Sequence, residues 1–352
     1  MAKKLMKGCE AIGEAAIKAG CRLFFGYPIT PQNEIPEYMS ARLPQVGGTF
    51  VQAESEVAAI NMLYGAAGAG CRVMTSSSSP GISLMQEGIS YIAGSELPVV
   101  IVNIMRGGPG LGGILPSQSD YFQATKGGGH GDYRCFVLAP SSVQEAADLM
   151  IDAFDLADKY RNPVLVLGDG LIGQMMEPVE FKSEIAPDDL PAKPWATTGC
   201  KERKPNIINS LYLAGEQLEQ HNWHLNRKYE SMKQDVRFEL YNAEGGCDVL
   251  IVAYGTVARI AKTSIEDLKA KGIKAGIFRP ITLYPFPGEA LAKAAAGAKA
   301  GVLVSELSCG QMLEDVQFHL KDRGRISFYG RVGGMVMAPE ELVDQVTKIA
   351  GA

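Results

Sequence analysis

Histidine is scarce in this chain of 352 residues, with four in all, and tryptophan occurs only twice. The seven cysteines, at 9, 21, 71, 135, 200, 247 and 309, are scattered and form no CxxC pair. That spacing argues against an iron–sulfur cluster or a structural zinc held by this chain alone, and no metal site is expected in it. Buried, reduced thiols are the expectation instead. Stretches of about twenty uninterrupted apolar residues are missing, so no membrane span is expected. Positive charge is not in excess either: 34 Lys and Arg stand against 39 Asp and Glu, a formal charge of −5, which offers nucleic acid no attraction. The basic start, Met1-Ala2-Lys3-Lys4-Leu5-Met6-Lys7, runs into Cys9 and Glu10 rather than the apolar core of a secretory signal. A cytoplasmic location follows as the expectation.

What is abundant is apolar surface, 46% of residues, enough for the cores of two domains. Helical spacing runs from Gly8 to Ala19 and stops at Gly20; Leu23-Phe24-Phe25 is a short strand leading into Gly26-Tyr27-Pro28. Thr30 then stands where an N-cap belongs, with Pro31 at the first helical position and Glu34 in the first turn. A helix from Glu56 to Ala69, a strand from Cys71 to Thr75, a polar turn from Ser76 to Gly81 and a helix through Ile92 come next. Pro98 to Ile104 is almost continuously apolar, as a central parallel strand covered on both faces should be. Further strands at Cys135–Leu138 and Pro163–Leu167 enclose a helix from Val143 to Tyr160. This alternation predicts an α/β fold with a parallel sheet between helices.

Prolines 187, 191 and 194 make Glu180–Trp195 an irregular connector. Leu211, Leu218, Leu225 and Met232 then recur every seven residues, which predicts a long helical arm over Ile207–Leu240, packed on its own chain or on a partner. A second α/β unit opens with a strand at Val249–Ala253, Thr256 as a helix cap, and strands at Ala275–Pro280 and Gly301–Glu306. The expected division is 1–180, a connector and arm over 181–245, and 246–352.

Several groups can carry chemistry. Glu54 and Glu56 face one side if the chain from Phe50 stays extended; if a helix begins near Ala53, only one points inward, and either can simply be a solvated first-turn carboxylate. Arg106 directly follows the apolar strand and precedes Gly107-Gly108-Pro109-Gly110, where a guanidinium can grip a carboxylate or brace the loop. The Thr30 hydroxyl can cap a helix or donate to an oxyanion. His130, within Gly127-Gly128-Gly129-His130-Gly131, is a weaker candidate. The Gly107–Gly113 loop lacks the Gly-Lys-Ser/Thr ending of a phosphate loop. Gly168-Asp169-Gly170 resembles the start of the metal–diphosphate motif of thiamine enzymes, but the asparagine pair that motif requires does not follow.

Gly26-Tyr27-Pro28-Ile29-Thr30-Pro31, Gln52 to Glu56, Thr75 to Gly81 and Met105 to Gly113 together resemble the alpha subunit of the 2-oxoacid:ferredoxin oxidoreductases. Arg279 to Pro287 and Glu306 to Met312 fit the same family, so the resemblance spans nearly the whole chain and is strongest to the ketoisovalerate (3-methyl-2-oxobutanoate) type. It implies a thiamine-enzyme pyrimidine-binding domain, a helical linker and a second α/β domain like the transketolase C-terminal domain. It implies that Glu56 hydrogen-bonds the aminopyrimidine of thiamine diphosphate, and that Thr30 and Arg106 contact the 2-oxoacid. It further implies that a beta subunit holds the diphosphate and magnesium, that a ferredoxin-like delta subunit carries the iron–sulfur clusters, and that a gamma subunit completes the assembly. Oxidative decarboxylation to an acyl-coenzyme A, with electrons passed to an external ferredoxin, is the implied activity. 2-Oxoglutarate is the alternative substrate. A non-catalytic nucleotide-binding or scaffolding subunit is the competing class.

Overall fold

The computed structural model describes residues 3–181 and 184–351. Met1 and Ala2, which open the basic start, Lys182 and Ser183 in the connector, and Ala352 lie outside the described residues. The first half runs β1 (Lys4–Lys7), α1 (Gly8–Lys18), β2 (Leu23–Gly26), α2 (Glu34–Arg42), β3 (Thr49–Gln52), α3 (Glu56–Gly68), β4 (Val73–Ser77), α4 (Ser79–Gly94) and β5 (Val99–Met105). It continues through α5 (Tyr121–Lys126), β6 (Phe136–Leu138), α6 (Val143–Tyr160), β7 (Pro163–Asp169), α7 (Gly170–Gln174) and β8 (Met176–Val179). Gly20 ends the first helical segment because the chain turns there at φ 80°, which a side chain resists. All seven residues of β5 are buried, and the strand lies at the centre of a seven-stranded sheet ordered β12-β6-β7-β5-β4-β2-β3, in which β12 is Thr282–Tyr284. Every pair in it is parallel except β6 with β12, a strand the second half supplies. The apolar run is continuous because helices cover both faces of the strand.

The second half comprises α8 (Gly215–Ser231), β9 (Phe238–Tyr241), β10 (Cys247–Val252), α9 (Gly255–Ala270), β11 (Ala275–Pro280), β12 (Thr282–Tyr284), α10 (Gly288–Ala296), β13 (Ala298–Glu306), α11 (Gln311–His319), β14 (Ile326–Gly330) and α12 (Pro339–Ala350). Its five-stranded sheet is ordered β14-β13-β10-β11-β9, parallel except where β9 runs against β11. Among the described residues no helix is long and apolar enough to cross a membrane.

Three expectations need correction. Thr30 does not cap a helix: α2 begins only at Glu34 behind Asn33, because Gln32, fully buried, donates to the Tyr27 carbonyl (3.3 Å) and accepts from Ser76 Oγ. Thr256 is not a cap either. It lies in the first turn of α9, behind Tyr254, and its hydroxyl points into the first domain. The helical arm shrinks to α8. Asn209 binds the Leu211 backbone N–H (2.8 Å) and carbonyl (2.7 Å), holding residues before Gly215 in non-helical form, and the edge of β11 captures Phe238–Tyr241 as a strand. Of the seven-residue repeat, Leu225 and Met232 are buried while Leu211 and Leu218 are exposed. All seven cysteines are free; Cys9, Cys21, Cys135 and Cys247 are buried, Cys71 is half-buried, and Cys200 and Cys309 are exposed.

Candidate active site at the domain junction

Ser55 starts α3 by accepting the Ala58 N–H (3.2 Å), and that cap decides which acidic residue turns inward. Glu54 stays exposed; Glu56, the first helical residue, is 5% exposed. Its carboxylate packs against the first turn of α4, where a Cβ on Gly81 would lie 2.5 Å from Glu56 Oε1 and 2.0 Å from Ser77 Oγ. Glycine alone leaves that room. Among the described residues the Glu56 carboxylate has no hydrogen-bond or ion-pair partner. The buried hydroxyls of Thr75, Ser77 and Ser78, at the end of β4, are also unpartnered. A hydroxyl sealed from water without a partner costs about 1–3 kcal/mol, so Ser77 Oγ beside the largely buried, unpartnered Glu56 carboxylate fits a ligand bearing nitrogen donors and acceptors.

Arg106 follows the end of β5, where it bridges to Pro116, and the intervening loop is folded by Gly107 N–H to the Leu115 carbonyl (2.9 Å) and Gly113 N–H to the Gly107 carbonyl (2.9 Å). Gly112 is required here: its φ is 61°, and a Cβ would stand 2.0 Å from the Gly107 oxygen. The guanidinium donates through Nη1 to the Thr30 carbonyl (2.9 Å) and through Nη2, at 3.4 Å, to the Leu111 carbonyl; Nε is buried and unpartnered. Thr30 and Arg106, far apart in sequence, are therefore neighbours. The Thr30 hydroxyl accepts from Asn33 Nδ2 (3.2 Å), which leaves its own proton free to donate. No direct bond joins Glu56 to Arg106. The start of α4 stands between them, touching Glu56 through Gly81 and Arg106 through Ser79.

Sequence reasoning missed the residues that tie these parts together. Ser79 Oγ donates to Asp120 Oδ2 (2.5 Å) and accepts from the Arg106 N–H (3.0 Å). Asn103 donates to the same Asp120 oxygen (2.9 Å) and accepts from the Ser79 N–H (3.1 Å). Burial pushes the Asp120 carboxyl above the usual aspartate range, while the bonds from Ser79 and Asn103 pull it back. The one available signal was Asn103 itself, a polar residue inside an otherwise apolar strand.

A cavity of about 790 Å³ opens beside Arg106, walled by the start of α4, the Gly107–Gly110 loop, Ser117, Ser119 and Asp120, and from the second half Leu307–Cys309, Gln311, Val332 and Gly333. A smaller one of about 350 Å³ lies at Thr30, Ile114, Leu115 and Leu171. His130 lines neither; it is exposed, and its Nδ1 is 3.5 Å from Ser90 Oγ.

Buried bonds fix the junction. Gln118 exchanges bonds with both the N–H and the carbonyl of Leu307 (2.9 Å each) and donates to the Tyr254 carbonyl (3.0 Å). Arg279 grips Glu145 with both terminal nitrogens (2.7 and 2.8 Å). Asp169, of the diphosphate lookalike, accepts from the N–H groups of Leu171 (2.9 Å) and Ile172 (3.2 Å) and from Thr256 Oγ1 (2.8 Å). It is a helix cap and a clamp between the halves, and burial raises its pKa against those three donors. Among the described residues no three His, Cys, Asp or Glu side chains gather as metal ligands would.

Two family models match: the thiamine-diphosphate-binding domain of pyruvate flavodoxin/ferredoxin oxidoreductases over residues 14–241, and core domain II of pyruvate:ferredoxin oxidoreductase over 247–342. The ketoisovalerate oxidoreductase subunit VorB of Methanothermobacter marburgensis is 49% identical over 100% of this chain and 99% of its own length. The 2-oxoglutarate synthase subunit KorA of Archaeoglobus fulgidus is 40% identical over 98% of this chain and 99% of its own. Among solved structures, a 2-oxoglutarate:ferredoxin oxidoreductase from Magnetococcus marinus superimposes with a TM-score of 0.85 at 28% identity, covering 99% of this chain and 65% of that one. A split-gene transketolase, at 15% identity and a TM-score of 0.61, shares the fold alone.

Proposed function

Because the chain belongs to the thiamine-diphosphate-dependent 2-oxoacid:ferredoxin oxidoreductases, as an alpha-type subunit, we propose that it supplies the pyrimidine end of the cofactor site and the grip on a branched-chain 2-oxoacid. The observation that carries this reading is the largely buried Glu56 carboxylate, unpartnered and close to the unpartnered Ser77 hydroxyl beside a glycine that leaves it room. Bound thiamine diphosphate supplies the electron sink into which a 2-oxoacid can be decarboxylated. Glu56 would share a proton with the aminopyrimidine ring nitrogen, which would cover the carboxylate when bound. Arg106 takes the substrate carboxylate. Its Nη1 is committed to Thr30 and its Nη2 makes a long 3.4 Å bond to Leu111, which leaves the unpartnered Nε and the second Nη2 proton as the donors for a carboxylate. The free Thr30 proton donates to the keto oxygen and orients the carbonyl.

The diphosphate and its magnesium are assigned to a beta-type partner, the iron–sulfur clusters to a ferredoxin-like delta subunit, and the remaining contacts to a gamma subunit. Coenzyme A is the acyl acceptor and an external ferredoxin takes the electrons. The likeness to two ketoisovalerate subunits favours 3-methyl-2-oxobutanoate, and the apolar Ile114, Leu115 and Leu171 around the Thr30 cavity suit its branched chain. A scaffolding subunit gives no reason for a largely buried, unpartnered carboxylate.

The test is 2-oxoacid- and coenzyme-A-dependent viologen reduction by the anaerobically purified complex, comparing 3-methyl-2-oxobutanoate with 2-oxoglutarate. Glu56→Gln is expected to assemble and to lose turnover. An assembled Glu56→Gln complex with wild-type turnover refutes the assignment of Glu56. A preference for 2-oxoglutarate retains the mechanism and overturns the substrate.

A further inference from the structure

Taking Arg106 as the substrate's carboxylate anchor, and so resting on the reading above, we propose that Ser79 is its positioning residue, locked in place by Asp120 and Asn103. The side chains form a closed ring. Ser79 Oγ–H bonds Asp120 Oδ2, Asn103 Nδ2 bonds the same oxygen, and Asn103 Oδ1 returns to the Ser79 N–H, at 2.5, 2.9 and 3.1 Å. A ring of this kind admits one arrangement of three chain segments: the first turn of α4, the interior of β5, and the stretch leading into α5. Ser79 and Asn103 are 9% and 1% exposed while Asp120 is half-buried at the cavity wall, so water poorly replaces a bond lost at Ser79 or Asn103.

Its output is directed at the Arg106 backbone, whose carbonyl oxygen also lies 3.3 Å from Ser79 Oγ, beyond the 2.5 Å bond to Asp120. With its proton committed to Asp120, the Ser79 oxygen accepts the Arg106 N–H at 3.0 Å, one residue beyond the end of β5. That bond fixes the Arg106 backbone at the rim of the cavity. From this point the side chain reaches Thr30 and Leu111, so the Ser79 hydroxyl sets the origin from which the guanidinium is placed. Ser79 lines the cavity, but its proton is taken by Asp120 and its oxygen by the Arg106 N–H, so it acts through Arg106.

The experiment measures steady-state kinetics of the assembled wild-type, Ser79→Ala, Arg106→Lys and doubly substituted complexes. Ser79→Ala is expected to raise the KM for the 2-oxoacid by about tenfold, with a smaller fall in kcat and an unchanged KM for coenzyme A. In the Arg106→Lys background the same substitution is expected to add little, because its effect passes through the guanidinium. An unmoved 2-oxoacid KM, equal loss in both backgrounds, or parallel rises in both KM values overturns the proposal. If Ser79→Ala fails to assemble, the decision rests on Asp120→Leu and Asp120→Asn. The amide oxygen of Asn still accepts from Ser79, so Asp120→Asn is expected to recover a substantial part of the 2-oxoacid KM lost in Asp120→Leu; equal KM values for the two overturn the role. A wild-type complex that reduces viologen with no 2-oxoacid is a separate outcome: it removes the catalytic reading and this inference with it.

Discussion

Replacing Gly81 by alanine tests the placement of Glu56 more sharply than removing the carboxylate does. The new methyl group would stand 2.0 Å from Ser77 Oγ, 2.5 Å from Glu56 Oε1 and 2.9 Å from Glu56 Cγ. Non-bonded contact requires about 3.5 Å, so the carboxylate must withdraw by about 1 Å. Both obstructing oxygens end rotatable side chains, so the helix and sheet need not move. Overpacking of this sort costs about 1–3 kcal/mol, and alanine's advantage over glycine inside a helix returns up to about 1 kcal/mol. The fold therefore survives. Catalysis is expected to suffer far more, because a misplacement of about 1 Å at a reacting group costs about 10²-fold in rate. The control is Gly88→Ala, two turns further along α4, whose methyl meets Ile60 Cγ2 at 2.5 Å and overpacks the same α3–α4 contact away from Glu56. Thermal melting of both complexes, thiamine diphosphate titration and viologen reduction make the comparison. The expectation is a loss of stability in Gly88→Ala at least as large as in Gly81→Ala, because Ile60 is buried and β-branched, with loss of turnover only in Gly81→Ala. Turnover within about twofold of wild type in Gly81→Ala refutes the placement.

Asp169→Ala removes the acceptor of two α7 N–H groups and of Thr256 Oγ1 at once, and is expected to destabilise the chain by about 2–4 kcal/mol, read as a lowered denaturation midpoint; an unchanged midpoint refutes the clamp. Lys228 governs a pH response. Burial brings it down to about 8, against the pull of Glu96, whereas an unfolded lysine titrates near 10.4. Between those values the unfolded chain binds more protons, so this group makes stability rise with pH across about pH 8 to 10.4, by on the order of 3 kcal/mol in full. Lys228→Met is expected to flatten that rise in melting temperature, and equal slopes for the two proteins refute it.

The sheet was legible wherever burial on both faces left an uninterrupted apolar run, as in Val99–Met105 and Pro163–Asp169. Segments whose state is chosen by a distant neighbour were not. Phe238–Leu240 ends the stretch expected as a helical arm yet belongs to a strand because β11 has an open edge beside it, and Thr30-Pro31 has the form of a helix start but yields to the buried Gln32. Glu56 and Arg106 could be singled out as candidates in the sequence because each borders a recognisable element. The choice between Glu54 and Glu56 had to wait for the position of the Ser55 cap. Ser79 and Asp120 look like ordinary polar loop residues, and only folding across 41 positions joins them.

Thr282–Tyr284 leave the second half of the chain to complete the sheet of the first, pairing antiparallel with Phe136–Leu138. A gene broken between residues 241 and 247, where the two family matches part, would yield an N-terminal fragment whose outermost strand has lost its neighbour. That strand is wholly buried here, and an uncovered apolar edge invites pairing with other copies. Fission of this subunit during evolution, or its division in the laboratory, is thus penalised at the seam that its two-part sequence most invites. A break beyond Tyr284 preserves that sheet and instead divides the one built on β10.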